Sequence, residues 1–137
     1  MESRRFLSRR AEPPSGDLDP RLDALRDLAL AKPGATEDFP FGPEVMTFKV
    51  GGKLFAAVAW EESPLRVSLK CAPDRVEALR EAHAAIGPAR YFDKRHWNQV
   101  TLDAGVDDAL LRDLLDDSYE LVVKTLPRKV RDGLGGG

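Results

Sequence analysis

At 137 residues, 42% hydrophobic and 32% charged, the chain has the length and composition of one globular domain with its own core. Its longest apolar runs, such as Leu54 to Trp60, are far too short to cross a bilayer, and its single cysteine, Cys71, excludes an internal disulfide and fits a reducing cytoplasm. The net charge of −2 sets it apart from globally basic nucleic-acid binders.

Charge is unevenly spread. Residues 103–120 carry seven acids against Arg112 alone, whereas residues 45–102 carry nine Lys/Arg against six Asp/Glu. The whole-chain value therefore averages a basic middle and an acidic C-terminal helix.

Residues 1–18 include Pro13, Pro14, Ser15 and Gly16 among few apolar residues and read as a disordered arm. The arginine-rich start has no apolar core of a secretory signal, and Glu2 and Glu12 argue against an organellar transit peptide. Asp19 is placed to cap a helix with Pro20 at its first position. Leu22, Leu25, Leu28 and Ala29 form its buried stripe, and Pro33-Gly34 ends it. Thr36 to Pro43 reads as a loop.

In Val45 to Val50, Met46, Phe48 and Val50 alternate with Val45, Thr47 and Lys49, the period of a strand. Gly51-Gly52 predicts a two-residue hairpin turn, and Lys53 to Trp60 is a strand apolar on both faces. After a turn at Glu61 to Pro64, Leu65, Val67 and Leu69 alternate with Arg66, Ser68 and Lys70. Pro73 starts a second helix carrying Val76, Leu79 and Ala82/His83, which ends before Gly87-Pro88. Trp97 to Asp103 is a fourth strand with Val100 and Leu102 on one face. The last helix, about Asp107 to Leu126, buries Leu111, Leu114, Leu115, Ser118 and Val122. Pro127 stops it, and residues 128–137 read as a flexible basic and glycine-ended tail.

The order α-β-β-β-α-β-α, with an extra short strand near 86–91 as an option, describes an α+β fold with helices packed on one face of an antiparallel sheet. Residues 19–127 are its single domain. Strand alternation then assigns the opposite face: Thr47 and Lys49; Phe55, Ala57 and Ala59; Arg66, Ser68 and Lys70; Trp97, Gln99 and Thr101. Three cations, two aromatics and no acid stand on it.

The blocks KPGATEDFPFG (32–42), TFKVGGKLFA (47–56), VSLKCAPD (67–74), DKRHWNQVTLD (93–103) and DSYELVVKTLPRK (117–129) resemble, in order, the MmcQ/YjbR family. The resemblance spans about residues 19 to 130. Lys32, Ala72 and Asp93 depart from the residues common there. It implies a frataxin/CyaY-like α+β fold, also described as a double-wing motif, and a DNA-binding role.

The basic block Lys94-Arg95-His96-Trp97, with Arg90 before it, joins Lys49, Arg66 and Lys70 as the candidate nucleic-acid or partner-binding set. Cations neutralise phosphates and an indole stacks on bases. The plainer reading is that Trp97 packs at the sheet edge under the aliphatic stems of Lys94 and Arg95. The set supports three to six phosphate contacts, hence weak and salt-sensitive binding. In Thr36 to Gly42, the favoured reading has Phe39 and Phe41 plugging the core while Thr36 and Glu37/Asp38 satisfy loop amides. Asp19, Asp23 and Asp27 read as a solvated helix face, because carboxylates one turn apart chelate poorly. His83 and His96 make no transition-metal motif, and Cys71 has no activating histidine nearby in sequence. No phosphate loop, dinucleotide fingerprint or nucleophile elbow is present.

The expectation is therefore a cytoplasmic, non-enzymatic nucleic-acid-binding protein with no cofactor, metal or membrane partner. A protein-interaction adaptor using the same face is the alternative.

Overall fold

The computed structural model describes residues 20–62, 64–90, 92–102 and 106–135. In chain order the elements are α1 (Pro20–Leu30), β1 (Ala35–Asp38), β2 (Met46–Val50), β3 (Lys53–Val58), β4 (Arg66–Lys70), α2 (Pro73–Ala82), β5 (Ile86–Pro88), β6 (Trp97–Thr101), α3 (Asp108–Val123) and α4 (Arg128–Gly135). The fold is α+β. Its six strands lie in the order β1-β2-β3-β4-β6-β5, every neighbouring pair antiparallel.

Three helices share one face. α1 packs on β1, α3 on β2, β3 and β4, and α2 on β5 and β6. Beneath them Met46, Phe48, Val50, Ala56, Val58, Val67, Leu69, Ile86 and Val100 join Leu22, Leu25, Leu111, Leu114, Leu115 and Val122 in one core. Gly51 and Gly52, at φ 59° and 81°, close the β2–β3 hairpin as the glycine pair demands. A Cβ at Gly51 would also lie 2.7 Å from the buried Leu126, so this turn sits tight against the end of α3.

Two elements differ from the sequence expectation. Residues 35–38 form an edge strand instead of a loop: Ala35 pairs with Val50, Thr36 with Lys49, Glu37 with Phe48 and Asp38 with Thr47. The segment has little strand propensity of its own, so its pairing comes from tertiary anchors. Glu37 receives Nε and Nη2 of Arg26 on α1 at 2.9 and 3.2 Å, and the Tyr119 hydroxyl of α3 donates to the carbonyl of Pro33. The short strand β5, the option at 86–91, is present and forms the second edge of the sheet. Residues 128–135, expected to be a flexible tail, form the helix α4, with Leu134 packed on the core beside Gly34. The expected arm and the Asp19 cap lie outside the described residues.

A further departure is a β-bulge. Phe48 faces Ala56 but Lys49 faces Leu54, leaving Phe55 as the extra residue of β3. The bulge rotates Phe55 from the outer face, where simple alternation puts it, into the core. There its ring meets Tyr119 edge-on at 5.3 Å. Between β3 and β4 the register runs through Ala56↔Leu69, and the next position is spanned by a side chain. The fully buried Ser118 hydroxyl donates to the Phe55 carbonyl at 2.5 Å and accepts from the Lys70 amide at 2.8 Å. One hydroxyl thus satisfies two backbone groups where the ladder ends.

Replacing Ser118 with Ala leaves both groups buried and unpaired. The expected loss is about 2–4 kcal/mol, summing two unmade bonds. Urea unfolding of the variant should show a clearly lowered midpoint; a midpoint within about 0.5 kcal/mol of the parent, the usual range for surface substitutions, would show that the bridge carries no weight.

Candidate binding hollow on the outer sheet face

Cross-strand partners share a face, so the pairings sort the outer residues into rows. The middle row runs Asp38, Thr47, Ala57, Ser68, Gln99, Gly87. These side chains are mostly short. One flanking row holds Arg66 and Thr101; the other holds Lys70 and Trp97, with Thr36, Lys49 and Leu54 on the β1–β3 side. The outer face is therefore a trough with a low floor.

Two loops make its walls. Phe41 and Val45, from the β1–β2 connection, and Arg90 and Phe92, from the β5–β6 connection, surround the floor residues Ala57, Ser68 and Gln99. With Ala59, Glu62 and Arg66 they enclose a hollow of ≈ 380 Å³. That volume is in the range of small-molecule sites. Phe92 stacks on Trp97 with ring centroids 4.7 Å apart and planes 23° off parallel. Phe41 is 60% exposed. This corrects the expectation that Phe41 plugs the core; Phe39 alone packs there, as a partly buried neighbour.

The six Lys and Arg among the eight expected site residues divide into two groups. Lys49 is paired with Asp38 at 3.2 Å, and Arg66 and Arg90 both reach Glu62 at 3.6 Å. Lys70 stands directly opposite Trp97, and Lys94 and Arg95 are exposed in the turn that leads into β6. Among the described residues these three cations make no ion pair. His96 is engaged locally, its Nδ1 lying 2.8 Å from Asp93 Oδ2. The face is thus not free of acids. Asp38 reaches it because 35–38 is a strand, and Glu62 reaches it from the β3–β4 turn. Lys49, Arg66 and Lys70 do not converge either: Arg66 and Lys70 stand about 13 Å apart along β4, and Lys49 lies two strands away, about 10 Å.

The turn carrying Lys94 and Arg95 is held from both sides. Asp93 accepts from the Arg95 amide at 2.9 Å, and Arg80 Nη2 of α2 donates to the Lys94 carbonyl at 2.6 Å. The Arg95 amide, and then His96, hold the Asp93 carboxyl below its ordinary value. The Phe39 amide and then Lys49 do the same for Asp38. Cys71 is buried, and burial pushes its thiol up, away from nucleophilic use. Among the described residues, no cluster of three or more His, Cys, Asp or Glu is placed to hold a metal ion, and no helix is long and apolar enough to cross a membrane.

Sequence reasoning missed Phe41, Phe92, Asp38 and Glu62 as parts of the site. Pro40 and Gly42 around Phe41 signalled a loop but not its direction. Phe92 stands just before the basic block and offered no periodicity to place it.

The YjbR family model matches residues 30–121. The chain belongs to the YjbR family. Over 110 residues it is 36% identical to YjbR of Escherichia coli K12, a protein named as uncharacterised, covering 80% of this chain and 93% of that one. YbdF of Escherichia coli O157:H7, also named as uncharacterised, is 34% identical over 107 residues, covering 78% and 88%. Among solved structures, Deinococcus radiodurans DR2400, described by its domain DUF419, superposes with a TM-score of 0.78 at 41% identity, covering 83% of this chain and 87% of that one. A Pseudomonas syringae protein superposes at 0.63 with 25% identity, covering 72% and 96%. YjbR membership brings a fold and no activity.

The carboxylates give a pH prediction with a definite sign. Asp38 and Asp93 have folded values below 3.8, so the stability they add is present above that pH and is lost as pH falls through the folded values. An Asp38→Asn, Asp93→Asn variant should therefore lose less stability than the parent on going from neutral pH to below 3.8. Urea midpoints across that range check it; parallel curves for the two proteins would contradict it.

Proposed function

We propose that the protein is a non-enzymatic binder of single-stranded nucleic acid, held in the trough of the outer sheet face. The observation that carries this reading is the pairing of two aromatic walls, Phe41 and Phe92 on Trp97, with a small-residue floor between them. An unstacked base offers a flat apolar body for such a slot. Ser68 and Lys70 are about 6.6 Å apart along β4, so a backbone phosphate of that nucleotide can reach Lys70 and the turn cations Lys94 and Arg95. Walls rising on both sides of the trough favour a single strand over the broad surface of a duplex. Asp38 and Glu62 offset part of the positive field, which keeps affinity low and strongly salt-dependent. The frataxin/CyaY-like reading of the fold and a cytoplasmic location belong with this proposal.

The test is fluorescence anisotropy with labelled oligothymidylate and oligouridylate about 12 nucleotides long. Binding should weaken steeply with added salt. Phe41→Ala should weaken it roughly 5- to 100-fold, the range for one stacked base, and its exposed position should leave stability unchanged. Lys70→Glu with Arg95→Glu should abolish it, and Glu62→Gln should tighten it. Binding that ignores salt and Phe41, or a specific protein partner with no oligonucleotide affinity, would overturn the reading in favour of an adaptor.

A further inference from the structure

The other face of β4 and β6 holds a second hollow, of ≈ 170 Å³, under the gap between α2 and α3. Leu69, Leu79, Ile86, Val100, Leu114 and Leu121 give it an apolar wall, and Cys71 and Asn98 line it as well. Arg75 on α2 and Asp117 on α3 also line it, joined at 2.6 Å.

Asn98 is the unusual residue. It occupies a core-facing position of β6, opposite Leu69, and is only 3% exposed. Its Oδ1 accepts from Arg80 Nε at 2.8 Å, which fixes the orientation of the amide. The other end, Nδ2, is the buried side-chain polar atom without a hydrogen-bond partner among the described residues. A buried donor of this kind costs on the order of 1–3 kcal/mol unless something accepts from it.

We propose that this hollow is a ligand site for a compact, uncharged, apolar molecule that presents one carbonyl-type oxygen to Asn98 Nδ2. The size fits, since a cavity of about 150 Å³ lined by apolar side chains accepts benzene. The polarity fits as well. Asn98 stands among Leu69, Ile86 and Val100 on the sheet, whereas the charged lining residues come from α2, from α3 and its end, and from the end of β4; one donor in those apolar surroundings suits a single carbonyl. Of the charged residues at the lining, Arg75 is ion-paired with Asp117, and Lys124 has Glu120 one helical turn before it; Lys70 lines the hollow as well. Cys71 serves as a reporter: its Sγ lies 3.5 Å from the Ala72 carbonyl, and burial pushes its thiol up.

Benzamide is a suitable probe, with toluene as the same body lacking the acceptor. The Asn98 side-chain amide protons should shift on benzamide addition in ¹H–¹⁵N spectra, and modification of Cys71, the single thiol of the chain, by a disulfide reagent should slow. Asn98→Asp keeps an acceptor for Arg80 and removes the donor; it should weaken benzamide roughly tenfold. Leu121→Trp, which fills the hollow and leaves Asn98 in place, should abolish the protection, with thermal unfolding confirming that both variants fold. Equal protection by toluene, benzamide binding unaffected by Asn98→Asp, or no effect of benzamide on either signal would overturn the proposal.

Discussion

The hydroxyl of Ser118 holds the sheet and the helix layer to each other. β3 must carry an extra residue to bring Phe55 into the core beside Tyr119, and that residue opens the ladder to β4. A backbone carbonyl and a backbone amide would then be stranded in a region without water. Ser118 fills the gap from α3, the central helix, accepting from one strand and donating to the other. Because the bridge fixes the height and rotation of α3, it also places Tyr119 against Pro33 and Asp116 against Lys32, which secure the loop leading into β1. The edge strand, and through it the outer face, depends on a serine at the middle of the acidic helix.

Much of this architecture can be read from residue order, and the unread parts share a cause. Met46, Phe48 and Val50 alternate cleanly, and the Gly-Gly turn has one economical conformation, so the β2–β3 hairpin is legible. Val67, Leu69 and Val100 place β4 and β6 the same way. Residues 35–38 carry no such pattern. Their strand exists because Arg26 grips Glu37 and because β2 presents a free edge, both long-range facts. Lys53 to Trp60 is apolar on both faces, so nothing local marks where its alternation slips, and simple alternation puts Phe55 on the wrong side. In 128–135 the basic and glycine content reads as a tail, whereas the packing of Leu134 beside Gly34 belongs to a helix.

The misreading of 35–38 also governs the candidate site. An outer face with three cations and no acid follows from alternation only if 35–38 is a loop. Once it is a strand, Asp38 comes up beside Lys49, and Glu62 stands between Arg66 and Arg90. The unneutralised charge withdraws to Lys70, Lys94 and Arg95 at one end. Shape replaces charge as the more informative property: the short side chains of the middle row and the aromatic walls define where a ligand body would lie, and the cations define which way its charge would point.

β4 and β6 serve both hollows. Gln99 lies on the floor of the outer one, and Asn98, one residue earlier, points to the inner one; Ser68 and Leu69 divide in the same manner. Strand periodicity produces this separation, because consecutive side chains point to opposite faces. Substitutions at Phe41 therefore leave the donor at Asn98 where it is, and substitutions at Asn98 or Leu121 leave the aromatic walls in place; Lys70, on the outer row at the end of β4, also lines the inner hollow. The link that remains is Arg80. It binds Asn98 Oδ1 in the core and the Lys94 carbonyl in the cationic turn, so one guanidinium orients the amide of the inner hollow and braces the rim of the outer one.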